Sequence, residues 1–138
     1  MNAIVLYVTK SGATSECANL LAEKLRCPAY DLAKSTPDIS GFDTIIIGAG
    51  IRMGKVYKPA CSFIQNNLSL LLNKKTALYF CNAYPETFQK SVEKSIPAEL
   101  AESAVCIKSF GGKPPFNSAP ISAWLNENNF QLFLESIR

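Results

Sequence analysis

The stretch that decides the fold is residues 3–25, which read AIVLYVTKSGATSECANLLAEKL. Residues 3–8 are all apolar, which is typical of a strand buried on both faces of a parallel sheet. In residues 15–25 the apolar side chains recur at the spacing of one helix face. Residues 9–14 lie between them, with three hydroxyl side chains and one glycine. Such a loop turns several backbone N–H groups and a positive helix dipole toward one place, which predicts a site for an anion, most simply a phosphate.

Further along the chain, strand-like and helix-like segments alternate. Short apolar or β-branched runs predict strands at residues 28–32, 44–49, 76–81 and 104–110. Helical spacing of apolar residues predicts helices at residues 60–72, 88–96 and 121–137, the last with a break near residues 128–129. Alternating units in 138 residues predict a single domain over residues 1–138. The fold class expected is an α/β three-layer sandwich with a five-stranded parallel sheet.

The composition excludes several kinds of function. The chain has no histidine, and its five cysteines are widely spaced, so we expect reduced thiols, no metal site and no histidine-dependent hydrolase. The net charge is +3, but the basic residues are scattered, which argues against a nucleic-acid partner. No apolar run approaches the roughly 18 residues of a membrane span, and the start is not a signal peptide, so we expect a cytoplasmic protein without an integral membrane segment.

Ligands of such sheets bind beyond the carboxyl ends of the strands, which directs attention to the loops after residues 8, 49, 81 and 110. The sequence GAGIRMGK at residues 48–55 is neither a dinucleotide fingerprint nor a P-loop, because its third glycine comes one residue too late for either. It predicts a long loop whose glycines either let the backbone approach a planar ligand or only permit a turn. Tyr57 and Tyr84 are two aromatic residues that either stack on such a ligand or lie on the surface.

Two motifs resemble those of the flavodoxin family. Residues 9–14, TKSGAT, are similar to the flavodoxin phosphate loop, Thr/Ser-x-x-Gly-x-Thr. Residues 45–54, IIIGAGIRMG, resemble the segment Ile-Gly-Ala-Ser-Ile-Arg-Tyr-Gly of the flavodoxin subfamily that includes the menaquinone-dependent protoporphyrinogen dehydrogenases. The resemblance spans nearly the whole chain, and it specifies the fold further as flavodoxin-like.

The resemblance implies that FMN is the cofactor. Its phosphate would lie on a first group of residues: Thr9, Lys10, Ser11, Gly12, Ala13 and Thr14. Its ring would lie between two further groups: Gly50, Ile51, Arg52, Met53 and Gly54, and Asn82, Ala83 and Tyr84. Gly111 and Gly112 would add a fourth edge. No catalytic side chain is required, because the flavin carries the redox chemistry.

The resemblance leaves the precise function open among three hypotheses. The first is an electron carrier between redox partner proteins, and the second is an FMN-dependent oxidoreductase that acts on a small substrate such as a porphyrinogen or quinone. The third is a binding module without flavin. Flavodoxins that carry electrons are typically acidic, whereas this chain is basic. The protoporphyrinogen dehydrogenases have an extra segment between the last strand and the last helix, where this chain has only residues 113–118. Because the segment that the enzymes add is missing here, we favour the electron carrier.

Overall fold

The computed structural model describes residues 1–9, 12–82, 85–113 and 119–138. Its strands are β1 (Ala3–Val8), β2 (Ala29–Asp31), β3 (Thr44–Arg52), β4 (Lys55–Val56), β5 (Lys75–Cys81) and β6 (Cys106–Ser109). Its α-helices are α1 (Ala13–Leu25), α2 (Lys58–Asn66), α3 (Leu68–Leu72), α4 (Phe88–Ser95), α5 (Ala98–Ser103) and α6 (Glu127–Ile137). Two 3₁₀ turns cover Pro85–Thr87 and Ile121–Ala123.

Five strands form one parallel sheet in the order β2-β1-β3-β5-β6. The pairing joins Val8 of β1 to Ala49 of β3, and Gly50 of β3 to Cys81 of β5, so these strands end at one edge. The predicted three-layer α/β sandwich with five parallel strands is therefore confirmed. A sixth strand, β4, pairs antiparallel with the end of β3.

The central strands β1, β3 and β5 are buried along nearly their whole length, because helices cover both faces of the sheet. Alternate side chains of β1 point to opposite faces: Ile4 belongs to the core under α2 to α5, and Val5 to the core under α1 and α6. Phe63 of α2 packs in the first core and Phe133 of α6 in the second. If helices covered only one face of the sheet, the apolar side chains on the other face would be exposed to water.

Some predicted elements differ in extent from the structure. The strand predicted over residues 44–49 continues to Arg52, because β4 folds back on it and satisfies its backbone. The helix predicted over residues 60–72 is interrupted at Asn67, whose side-chain amide donates to the Phe63 carbonyl. The break expected near residues 128–129 lies earlier, because the Asn126 side chain accepts from the Asn129 N–H and caps α6.

A tyrosine ring fills the space left by a glycine at the centre of the sheet. Tyr79 of β5 is fully buried beside Gly48 of β3, and its hydroxyl donates to the Thr14 carbonyl in α1 at 2.9 Å. The ring stacks on Phe110 with centroids 4.8 Å apart. A Cβ atom at residue 48 would overlap the Tyr79 ring. Gly48 is therefore required by packing, and not by an unusual backbone conformation.

We expect Gly48→Ala to lower the free energy of unfolding by roughly 2–3 kcal/mol, because the stacking on Phe110 and the hydroxyl bond to Thr14 hold the Tyr79 ring in place. Urea denaturation measures this loss. Gly41→Ala is the matched control, since a Cβ atom there meets nothing within 4 Å. Equal stability of the two variants would show that the ring has room to shift.

Candidate functional site

The predicted site residues that the structure describes lie after four strands, at one edge of the sheet. Thr9 follows β1, residues 50–54 end β3, Asn82 follows β5, and residues 111–112 follow β6. The chain goes from β1 outward to β2 and then crosses to β3 on the other side, so strand order reverses between β1 and β3. A crevice opens at such a reversal in parallel sheets, and ligands bind there. The loop after β1 and the end of β3 flank this point.

The first wall is the amino terminus of α1. Its N-cap is Gly12, which has a φ of +91° and supplies no side-chain cap. The Gly12 N–H donates to Thr9 Oγ1 at 2.9 Å, which closes the turn that leads into the helix. A residue with a side chain would be strained at this φ. The following N–H groups of the first helical turn have no side-chain cap, so they can bind an anion.

One acidic side chain lies near this terminus, and it is neutralised. Glu16 in the first turn of α1 forms an ion pair with Lys113, with Nζ and Oε2 3.5 Å apart. Lys113 comes from the loop that follows β6, so the ion pair ties that loop to α1. It also offsets the negative charge that would oppose a phosphate at the helix terminus. Sequence reasoning did not find this pair, because nothing in the spacing of residues 16 and 113 brings them together.

The second wall is a hairpin, not the long loop that residues 48–55 predicted. Ile51 pairs with Val56 and Arg52 with Lys55, which leaves Met53 and Gly54 as a two-residue turn. Both turn residues have positive φ, 54° and 76°, as a type I′ turn requires. The hairpin fixes the backbone of residues 50–54 more firmly than a flexible loop would.

Tyr57 covers one side of this hairpin. Its N–H donates to the Gly50 carbonyl at 3.1 Å, and a Cβ atom at residue 50 would lie 2.6 Å from the Tyr57 ring. Gly50 is thus needed for the close approach of Tyr57, whatever else binds there. Burial raises the pKa of the Tyr57 hydroxyl above its ordinary value. The Tyr57 ring packs against the protein itself. This packing does not decide between the two alternatives that the sequence left open, a ring that stacks on a ligand and a residue on the surface.

The loops that follow β5 and β6 are hydrogen-bonded to each other at the same edge of the sheet. Asn82 is buried, its side-chain amide donates to Thr87 Oγ1 at 3.2 Å, and its N–H donates to the Gly111 carbonyl at 3.1 Å. Gly111 has a φ of +86°, and a Cβ atom there would lie 2.6 Å from the Trp124 carbonyl oxygen. Gly111 therefore has a packing role that is independent of any ligand. Gly112 is half-buried beside it.

The structure thus brings part of the predicted set together. Thr9, Gly12, Ala13 and Thr14 form the first wall, and Gly50, Ile51, Arg52, Met53 and Gly54 form the hairpin. Four predicted residues lie outside the described residues: Lys10, Ser11, Ala83 and Tyr84. Gly111 and Gly112 follow the outermost strand, two strands away from β3. Thr14 and Ile51 are almost fully buried, so their backbone is the part that a ligand could reach.

Two thiols lie beneath the site. The Sγ atoms of Cys17 in α1 and Cys81 at the end of β5 are 3.9 Å apart and buried. The hydrogen bond with Cys81, together with burial, raises the pKa of the Cys17 thiol. All five cysteines are free. A raised pKa keeps Cys17 protonated, which makes it a packing residue and not a nucleophile.

Other features of the described residues lie apart from this edge. A cavity of about 470 Å³ opens between α4, α5 and β6, and no predicted site residue is among those that line it. The described part of the chain has no group of three or more histidine, cysteine or acidic side chains that could hold a metal. Within the same part of the chain, no helix is both long and apolar enough to span a bilayer.

The fold is an α/β sandwich whose strand order reverses between β1 and β3, beside the uncapped α1 terminus and the β3–β4 hairpin. The chain matches the family of flavodoxin domains over residues 4–114, and it belongs to that family. In sequence it is 28% identical over 88 residues to protoporphyrinogen IX dehydrogenase [quinone] of Escherichia coli strain K12, a match that covers 59% of this chain and 49% of the other. The chain therefore matches only about half the length of that relative.

Solved structures show the same fold. Oxidised flavodoxin 1 from Bacillus cereus superposes with a TM-score of 0.63 at 20% identity, covering 99% of this chain and 97% of the other. A Lactobacillus acidophilus flavoprotein in complex with FMN has a TM-score of 0.60 at 12% identity, covering 78% and 92%. The cofactor predicted from the sequence, FMN, is supported by this family and by that neighbour.

We expect the stability of the protein to fall as the pH rises above about 8.5, where thiols of the unfolded chain ionise. The pKa of Cys17 is raised in the folded state, so between the two pKa values the folded protein binds a proton that the unfolded chain has lost. Its contribution is fully present below the unfolded pKa and is lost at up to about 1.4 kcal/mol per pH unit above it. Above about pH 10, burial of Tyr79 adds a second such loss.

Urea unfolding at a series of pH values measures both slopes. Cys17→Ala should make the fall above about pH 8.5 less steep without abolishing it, because burial also raises the pKa of Cys27 and Cys61. Between about pH 6 and 8, where thiols do not titrate, the slope should be unchanged. Tyr79→Phe should flatten only the part above about pH 10. A Cys17→Ala curve parallel to the wild-type curve throughout would contradict the raised pKa.

Proposed function

We propose that this protein is an FMN-binding redox protein that carries electrons between partner proteins. The observation that carries the proposal is the uncapped amino terminus of α1, which Gly12 opens at the strand-order reversal beside the β3–β4 hairpin. An uncapped helix terminus favours a phosphate, and the hairpin beside it presents backbone to a planar ring. When bound, FMN supplies the redox chemistry.

The phosphate would be held by backbone N–H groups at the start of α1. Gly12 keeps this turn free of a side chain, and Thr9 holds the turn closed by accepting the Gly12 N–H. Since that N–H is already used, we assign the phosphate to the next N–H groups of the first turn, beginning at Ala13. The Glu16–Lys113 ion pair keeps the first turn from repelling the phosphate.

The ring would lie against the hairpin backbone between Gly50 and Gly54. The Gly50 carbonyl already accepts the Tyr57 N–H, so the hairpin keeps its shape without a ligand. Arg52 is exposed on this hairpin and is the cation nearest the proposed ring position in sequence. No side chain of this site is assigned a role as acid or base, since electron transfer to a flavin does not require one.

An FMN-dependent oxidoreductase is the second candidate function. The match to protoporphyrinogen IX dehydrogenase [quinone] favours it. The basic net charge of +3 does not decide between the two candidates. Turnover of a porphyrinogen or quinone by the purified protein, without a partner protein, would favour the oxidoreductase. The proposal includes a single domain over residues 1–138. It also includes a cytoplasmic location, because five free thiols are typical of a reducing compartment.

We expect the dissociation constant of FMN to be at least about 100-fold lower than that of riboflavin. Only FMN has a phosphate that can accept charge-assisted hydrogen bonds from the α1 terminus. Quenching of flavin fluorescence measures both dissociation constants. Gly12→Val should reduce this preference, since a β-branched residue is strained at a φ of +91° and would alter the turn. Gly41→Val is the control, because residue 41 has open space and lies far along the chain. Equal affinities for FMN and riboflavin in the wild type would rule out the phosphate site.

We expect Arg52→Ala to lower the midpoint potential of the bound flavin. A nearby cation stabilises negative charge on the reduced ring, and screening by salt reduces the effect to the order of tens of millivolts. Potentiometric titration at low and high salt measures the change. Lys24→Ala, at the last turn of α1, removes a charge far from the hairpin and should leave the potential unchanged. A midpoint that is unchanged or higher in Arg52→Ala would show that Arg52 does not act on the flavin.

A further inference from the structure

The tip of the β3–β4 hairpin carries a residue that the fold does not favour. Met53 has a φ of +54° and is 94% exposed. Two-residue hairpin turns of this geometry favour asparagine, aspartate or glycine, because other residues are strained there. Met53 therefore combines backbone strain with an apolar side chain in water, and neither stabilises the folded chain. Strain that folding does not explain is a reason to look for a contact outside the chain.

Basic side chains surround this methionine. Arg52, Lys55 and Lys58 are all exposed, and no acidic residue occurs anywhere from residue 44 to residue 85. In the described parts of the chain, none of the three cations forms an ion pair; the one ion pair found there joins Lys113 to Glu16. These four residues, Arg52, Met53, Lys55 and Lys58, form what we call the hairpin patch. It is an apolar centre with an unneutralised positive rim.

We propose that the hairpin patch is the docking surface for an acidic redox protein. The inference rests on the proposed function, because the patch lies beside the proposed flavin position, where a partner must approach for electron transfer. A positive rim attracts and orients a negative partner, and it speeds the encounter in low salt. A small contact with one apolar residue suits the brief, weak association of electron-transfer partners.

An anionic membrane is the other surface that a basic patch could meet. Membrane binding requires buried apolar area as well as positive charge. The hairpin patch offers only Met53 as an exposed apolar side chain, and its neighbours Ile51 and Val56 are buried. The single exposed methionine favours a protein partner, and vesicles serve as a test of the alternative.

The probe is an acidic [2Fe–2S] ferredoxin, added to the FMN-loaded protein at low ionic strength. Amide chemical shifts map the contact, and calorimetry gives the dissociation constant. We expect the shifts to centre on residues 52–58. Lys55→Glu with Lys58→Glu should weaken binding at least tenfold, and the difference should shrink as salt is added. Met53→Asn should weaken binding while raising the melting temperature, because asparagine tolerates the positive φ.

The matched control is Lys24→Glu with Lys94→Glu, which changes the net charge by the same amount at exposed positions in the last turns of α1 and α4. Equal weakening by both double variants would show that net charge, and not the hairpin patch, attracts the probe. Shifts centred elsewhere, or tighter patch-dependent binding to vesicles that contain phosphatidylserine, would also overturn the inference. Retention of FMN is measured separately for each variant. A wild-type protein without FMN would refute the proposed function, whereas FMN binding without patch-dependent ferredoxin binding would refute only the docking surface.

Discussion

The packing of the Tyr79 ring on Gly48 connects the centre of the sheet to the site. The ring occupies the space that a side chain at residue 48 would take, and its hydroxyl reaches across to the Thr14 carbonyl in the first turn of α1. The same ring stacks on Phe110 just before the loop that follows β6. One buried side chain thus positions the α1 terminus relative to β3, β5 and β6.

The site itself is built mainly from backbone. Gly12 shapes the α1 terminus, and the hairpin at residues 50–56 supplies the facing wall through paired main-chain groups. A site of this kind constrains backbone conformation at a few positions and leaves most side chains free to vary. The solved neighbours share the fold, with TM-scores of 0.60 and 0.63, at sequence identities of only 12–20%.

Stability and recognition make different demands on the hairpin. Its register is fixed by two residue pairs and by the Tyr57 N–H bonded to the Gly50 carbonyl, so the turn holds its shape without a ligand. At the tip, however, Met53 is strained and exposed, and it lies among cations that no described acidic group neutralises. Neither the backbone strain nor the exposure of Met53 stabilises the folded chain, whereas the pairing at the base of the hairpin does.

The sequence alone determined the layers of the fold and predicted the first wall of the candidate site. Apolar strands at residues 3–8 and 76–81 and helical periodicity specify a parallel sheet covered on both faces, because these patterns depend only on neighbours along the chain. The TKSGAT loop likewise pointed to the α1 terminus. Only the tertiary structure showed that residues 48–55 form a hairpin, that Gly50 and Gly111 are packing glycines, and that Glu16 pairs with Lys113. The packing glycines and the ion pair depend on contacts between segments that are distant in sequence. The hairpin depends on a choice between two backbone conformations that the local sequence favours about equally. Local sequence patterns contain neither kind of information.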